Sequence, residues 1–280
     1  VLVVLTIVVL LPILKGIYVS FCTYKLANLN NPIWNNFGNY VKLFKQGEIF
    51  TYFLNTFVFV GLTVAASFII GLCIALLLNT KIVGRGVIRG LFLIPWTIPS
   101  VVTAIVWHWM LQQQYGVLNY IFYKLGLSST INISWTQSSL LAMVSIIMAS
   151  VWQQLPYMMV MILAALQTVD ASLVEAAKID GANPLKALTK IILPSIRTVL
   201  GTAIWISLLQ NFQNFTIIWN MTGGGPVIST TTLSIAVNRK AFQEFDFGLG
   251  SAIGVLWIIV LFIATLLHNR ISDRQVQDIQ

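Results

Sequence analysis

Five long stretches of this chain carry no Asp, Glu, Lys or Arg: residues 50–80, 90–123, 125–169, 198–238 and 247–269. Each can hold a helix of the roughly 20 residues needed to cross the hydrocarbon core of a bilayer. With 58% hydrophobic residues, 9% charged residues and a mean hydropathy of +0.86, the chain reads as a polytopic, all-α membrane protein in a single transmembrane domain over 1–280. A further apolar run opens the sequence at about 1–24, interrupted by Pro12 and Lys15. It lacks an initiator Met, a charged leader and a small-residue cleavage site, so the expectation is a trimmed first span rather than a signal peptide. Lys15 either snorkels to an interface or marks a functional position.

Six spans are therefore expected, at about 1–24, 52–79, 87–112, 139–166, 191–219 and 247–268. Pro95 and Pro99 should kink the third, as a hinge or as plain packing geometry. Residues 28–47 and 112–138 read as loops on one side, Thr222-Gly223-Gly224-Gly225-Pro226 as an outer turn, and 270–280 as a charged tail. Cys22 and Cys73 fall in apolar helical sequence with no C-x-x-C and read as small core residues. His108, between Trp107 and Trp109, has no second ligand nearby and reads as packed; no metal site is expected.

The net charge of +8 does not indicate nucleic acid, because the basic residues flank the spans instead of forming a stripe. One side collects Lys81, Arg85, Arg89, Lys178, Lys186, Lys190, Arg197, Arg270 and Arg274; the other holds Lys25, Lys42, Lys45, Lys124, Arg239 and Lys240. Basic residues concentrate in short cytoplasmic loops, so both termini and the loop between spans four and five are expected inside.

That loop, at about 170–194, is the most charged interruption in the membrane sequence. Asp180-Gly181 breaks it into two short amphipathic helices, Ala171-Ser172 can cap the first, and Asn183-Pro184 restarts the second. Loops of this kind often only join two spans. Here, Glu175-Ala176-Ala177, Gly181, Ile191, Leu193 and Pro194 resemble the E-A-A loop of ABC importer permeases at every fixed position: E-A-A, three residues, G, nine residues, I-x-L-P. Asp180-Gly181-Ala182 is common in the carbohydrate-importer branch. Small Ala176 and Ala177 suit entry into a groove, Glu175 offers a carboxylate to a basic partner, and Gly181 permits a sharp turn. In the family this loop is the coupling helix that docks on the cytoplasmic ATPase.

Two polar constellations lie in uncharged spans. Ser207, Gln210, Asn211 and Asn214 fall at i, i+3, i+4 and i+7, with Gln213 beside them; Trp152, Gln153, Gln154 and Tyr157 cluster around Pro156. Amides in hydrocarbon need partners, so both groups should face inward. They serve either as interhelical glue, worth about 0.6 to 2 kcal/mol per contact, or as a solute site. Carbohydrate hydroxyls pair with neutral donors and acceptors, and sugar C–H faces lie against Trp or Tyr.

The whole chain resembles the larger-subunit type of carbohydrate ABC permease, that of the maltose importer. Residues 151–159, V-W-Q-Q-L-P-Y-M-M, match its V-W-x-x-x-P-Y-M-M, and the interval from Leu193-Pro194 to Gly224-Gly225-Pro226 matches without a gap. Phe37-Gly38-Asn39-Tyr40 with Phe44 resembles a segment ahead of the second span in sugar permeases, and Gly116 to Asn119 its G-x-x-N segment. On that alignment Gln153, Gln154, Tyr157, Ser207, Gln210, Asn211 and Asn214 occupy sugar-site positions. Gln210 stands in place of an aromatic, and Gln153 and Gln154 in place of an apolar residue and a Gly, which argues against the same disaccharide.

The resemblance implies a type I importer fold of six transmembrane helices in the bacterial cytoplasmic membrane, among membrane lipid, moving an oligosaccharide inward. Its implied partners are a second homologous permease subunit, two cytoplasmic ATPase subunits that carry the ATP and magnesium, and an extracytoplasmic solute-binding protein. Another polar solute, such as a sugar phosphate or polyol, is the alternative cargo. An enzyme is disfavoured by the absence of a phosphate-binding loop, a H-E-x-x-H or intramembrane paired carboxylates. A secondary transporter would need intramembrane ionisable residues, and only Lys15 is available.

Overall fold

The computed structural model describes residues 6–28, 31–80, 83–127 and 132–277. The start of the first span, Lys81 and the last tail residues lie outside the described residues, as do the side chains of Lys178 and Arg274. Among the described residues three helices are long and apolar enough to cross a bilayer unaided: α3 (Glu48–Asn79), α7 (Ser139–Leu166) and α13, which runs Phe247–Gln277. The expected second, fourth and sixth spans are these helices. Helix α13 continues through what the sequence suggested was a separate tail. Helix α1 (Thr6–Ser20) is apolar but shorter.

The third and fifth spans depart from expectation. Residues 85–110 form two helices, α4 (Arg85–Thr97) and α5 (Ser100–Met110), bent by 96° across Ile98-Pro99. This is a break, not a kink: Pro99 has no N–H to donate, and Ile98 is extended, as a residue before proline prefers. Residues of the fifth span form α9 (Pro184–Ser195) and α10 (Arg197–Phe212), bent by 76°. Helix α10 ends at Phe212 before a short helix α11 (Thr216–Thr222).

Two connections are also more structured than expected. Strands β1 (Cys22–Thr23) and β2 (Ile33–Trp34) form a two-residue antiparallel ladder in an otherwise helical chain, followed by helix α2 (Gly38–Gln46). Asn39, buried, donates through Nδ2 to the Ser20 and Cys22 carbonyls, both at 2.8 Å, and fixes α2 to the end of α1. On the far side of the third span, helix α6 (Val117–Lys124) buries Asn119, which accepts from Trp135 Nε1 at 2.6 Å and donates to the Ile133 carbonyl at 3.1 Å.

Helices α3 and α7 share the most extensive contact and centre the main core, with Phe59, Val60 and Val64 against Ile146, Ala149 and Met158. A second core at the other end joins Leu43, Ile49, Leu233 and Leu249. There the T-G-G-G-P turn is packed against the residues that follow it. Thr230, Thr231 and Thr232 are buried; Asn55 donates to the Ile228 and Thr231 carbonyls at 2.8 and 3.1 Å, and Arg239 to the Gly223 carbonyl at 2.7 Å. A short helix α12 (Leu233–Asn238) follows.

Three of the basic residues at this end have acidic partners. Buried Asp246 lies 3.3 Å from Lys25 and 3.8 Å from Lys42, and Lys240 lies 2.9 Å from Glu244 and 3.6 Å from Glu48. Cys22 is buried as expected, but Cys73 is exposed on α3 and not in the core.

Candidate functional site

The break between α4 and α5 opens a cleft of about 480 Å³ beside the end of α10. Its walls are residues 96–100 of the break, Gln153 and Gln154 of α7, and Gln210, Gln213, Asn214, Phe215 and Thr216. Every group in this lining is uncharged. Five residues that the sequence singled out are brought together here: Gln153, Gln154, Gln210, Gln213 and Asn214.

The others divide. Ser207 and Asn211 are buried behind the cleft wall, where Asn211 Nδ2 donates to Gln154 Oε1 at 2.6 Å and to the Ser207 carbonyl at 2.9 Å. Tyr157 Oη, Ser207 Oγ and Asn211 Oδ1 are buried without a hydrogen-bond partner among the described residues. Trp152 faces elsewhere: it lines an apolar pocket with Pro95, Leu155 and Pro156, and its ring meets Trp107 edge-on at 6.2 Å. The expected stripe is also not one helix face throughout. Asn214 lies beyond the end of α10, donates to Ser150 Oγ at 3.4 Å and accepts from the Ile217 N–H at 3.4 Å, at the start of α11.

Gln153 has a task that its position in the sequence did not reveal. Its Nε2 donates to the Ile98 carbonyl at 3.0 Å and to Thr103 Oγ1 at 3.3 Å, while its Oε1 accepts from Ser100 Oγ at 3.2 Å. One amide thus ties the break to the first turn of α5, supplying a donor to a carbonyl left without an intrahelical partner. Replacing Gln153 by Leu should lower bundle stability by about 1 to 3 kcal/mol, read as a lower melting temperature in detergent. An unchanged melting curve would show that the break needs no brace.

The sequence missed residues 96–100, Phe215 and Thr216 as lining. Pro95 and Pro99 bracket Trp96-Thr97-Ile98, and two prolines four residues apart were the available signal for a break. Trp96, half exposed and 6.2 Å from the Tyr157 ring, supplies the aromatic face expected of Trp152.

His108 is packed, as expected: its Nδ1 lies 3.0 Å from the Met221 carbonyl and its Nε2 2.8 Å from Gln112 Nε2. Among the described residues no cluster of His, Cys, Asp and Glu could hold a metal.

The loop between the fourth and fifth spans adopts the expected two helices. Helix α8 (Ala171–Ile179) is capped by Asp170, not Ala171-Ser172: the Ser172 N–H donates to Asp170 Oδ1 at 2.9 Å and holds that carboxyl below the usual carboxylate range. The helix ends at Gly181, with φ +78°, and the Ala182 N–H reaches back to the Ala177 carbonyl at 2.9 Å, the six-to-one bond of a Schellman stop. Asn183 then caps α9, accepting from the Lys186 N–H at 2.8 Å. Ala177 is buried, whereas Glu175, Ala176, Asp180 and Gly181 are exposed and Ala182 is partly so. Leu173, Ile179 and Leu185 are also exposed.

Comparison with known proteins identifies the family. Residues 67–277 match the family described as the inner membrane component of binding-protein-dependent transport systems. The chain is 34% identical over 237 residues to the trehalose/maltose transport system permease protein of Thermococcus litoralis, covering 84% of this chain and 78% of that protein. It is 31% identical over 242 residues to the sn-glycerol-3-phosphate transport system permease protein of Yersinia pestis, covering 85% and 80%. A bacterial ABC transporter involved in the import of the acidic polysaccharide alginate has a chain of the same fold. It superposes with a TM-score of 0.81 at 21% identity, over 98% of this chain and 92% of that one.

Proposed function

Because this chain belongs to the family of inner membrane components of binding-protein-dependent transport systems, we propose that its cleft passes a neutral carbohydrate across the cytoplasmic membrane into the cell. The chain is a permease subunit of an ABC importer, not an enzyme. The observation that carries the choice of cargo is the uncharged lining of the cleft, with Gln210 and Gln213 exposed beside Trp96.

A sugar hydroxyl both donates and accepts, so amides that do the same match it without a fixed charge. A phosphate or carboxylate entering such a cleft would lose hydration with no cation to replace it. The unpartnered oxygens of Tyr157, Ser207 and Asn211, next to Gln154, are further places where solute hydroxyls find partners once the wall rearranges. An oligosaccharide suits a cleft that is open on one side, whose remaining wall belongs to a distinct second permease subunit.

Transport is driven from the loop at 170–194. Two ATPase subunits bind ATP and magnesium, one of them docking on Glu175, Ala176, Ala177, Asp180, Gly181 and Ala182, and both chain ends lie on the same cytoplasmic side. An extracytoplasmic binding protein delivers the solute opposite. Closure of the ATPase dimer carries the loop with it and turns the cavity from inside to outside.

Gln210→Ala tests the cargo site, since Gln210 is exposed in the cleft and makes no bond that the fold depends on. Losing one hydrogen bond to solute, about 1 to 3 kcal/mol, should weaken uptake of neutral oligosaccharides roughly 5- to 150-fold while melting temperature and ATPase assembly stay unchanged. Uptake is measured with a panel of neutral, phosphorylated and carboxylated sugars and polyols in cells lacking the native chain. Preference for a charged solute would overturn the neutral reading.

A further inference from the structure

We propose that α2 and the β1–β2 hairpin before it form an in-plane anchor that lays an aromatic face on the headgroup interface of the lipid bilayer. Helix α2 sits between the ends of two spans: the hairpin follows α1 directly, and only Gly47 separates α2 from α3. It is therefore held at the level where both helices leave the hydrocarbon.

Its exposed face is continuous with the exposed apolar surface of α3. Phe37, Val41 and Phe44 fall at i, i+4 and i+7 and are all exposed, Phe37 at 65%. Phe44 packs on Phe50 at 5.8 Å, and Phe50, Leu54 and Phe57 repeat the same spacing as an exposed stripe along α3. The Phe44–Phe50 ring contact joins the one stripe to the other. On the other flank Trp34 stacks on Phe21 at 5.5 Å and lies 5.7 Å from Tyr18 of α1.

The opposite face is already used. Asn39 is bonded to the end of α1 and Leu43 belongs to the second core, so α2 cannot roll to hide its aromatics. A bilayer interface fits the remaining face, because Trp and Tyr favour the headgroup level, where an apolar ring and a polar edge are both satisfied. Exposed Lys45, in the last turn of α2, adds a cation suited to anionic headgroups.

The assembled importer in nanodiscs of phosphatidylethanolamine and phosphatidylglycerol provides the test. The tryptophan emission of wild type minus that of Trp34→Phe isolates Trp34 from the other indoles. Phosphatidylcholine brominated near the headgroup should quench that component at least twofold more than phosphatidylcholine brominated near the chain ends, and aqueous iodide should quench it little. Strong iodide quenching without bromolipid quenching would put the face in water; quenching by neither would mean that a protein chain covers it. Either result overturns the proposal. Phe44→Trp in the Trp34→Phe background gives a second reporter on the same face with the same expected pattern. The readout requires no solute, so it stands or falls separately from the cargo reading.

Discussion

Glu175→Lys is expected to abolish solute uptake while leaving the membrane bundle folded, with a melting temperature in detergent unchanged from wild type. Glu175 is exposed, so its substitution disturbs no packing inside this chain. Its loss would be felt only by a partner. At a basic groove a lysine in place of this carboxylate would replace attraction by repulsion, and unlike truncation it would leave two like charges in contact. Gly181→Val should produce the same outcome by another route. Gly181 holds φ +78°, a β-branched side chain there is strained by about 1 to 2 kcal/mol, and relief would undo the turn that ends α8. The two variants should share a phenotype: loss of the ATPase subunit on purification, or ATP hydrolysis that no longer depends on solute. Normal transport in Glu175→Lys would end the coupling assignment.

The second large effect is expected at Gly248, where the first turn of α13 crosses β1. A methyl group there would overlap the Cys22 carbonyl and come within 3.0 Å of Asn39 Nδ2 and 3.3 Å of the Tyr24 nitrogen. Two of these obstacles are backbone, so a rotamer change cannot make room. Room has to come from separating α13 from the hairpin, which breaks the Gly248 N–H to Tyr24 carbonyl bond at 3.0 Å and the Leu26 N–H to Phe245 carbonyl bond at 3.1 Å. It also pulls Lys25 from Asp246, now 3.3 Å apart. Gly248→Ala should therefore cost about 2 to 4 kcal/mol. The measurement is thermal unfolding in detergent; a variant as stable as wild type would mean that the first and sixth spans meet less closely than the structure shows.

What could be read from the sequence follows from which forces are local. The continuous apolar helices α3, α7 and α13 were legible because length and hydropathy alone decide them. The Asn183 cap and the Gly181 stop were legible because each depends on chemistry within a few residues. The breaks in the third and fifth spans were not. A proline in a membrane helix is compatible with a gentle kink or a right angle, and the outcome at Pro99 goes with Gln153, 54 positions later. The same limit explains Trp152 and Trp96. Periodicity places Trp152 on a helix but does not say which side faces the cleft, and Trp96 reaches it only because the chain turns at Ile98-Pro99.

The broken third span also constrains how the chain enters the membrane. Helices α4 and α5 have 13 and 11 residues, about 20 and 17 Å at 1.5 Å per residue, and neither alone spans a core about 30 Å thick. During synthesis this segment emerges before α7, so the Ile98 carbonyl reaches the bilayer ahead of the Gln153 amide that pairs with it. An open carbonyl in hydrocarbon is costly, which favours holding the third span at the insertion machinery, or in contact with water, until the fourth arrives. Spans three and four then enter as a unit, and the brace at Gln153 links the order of biogenesis to the shape of the cleft.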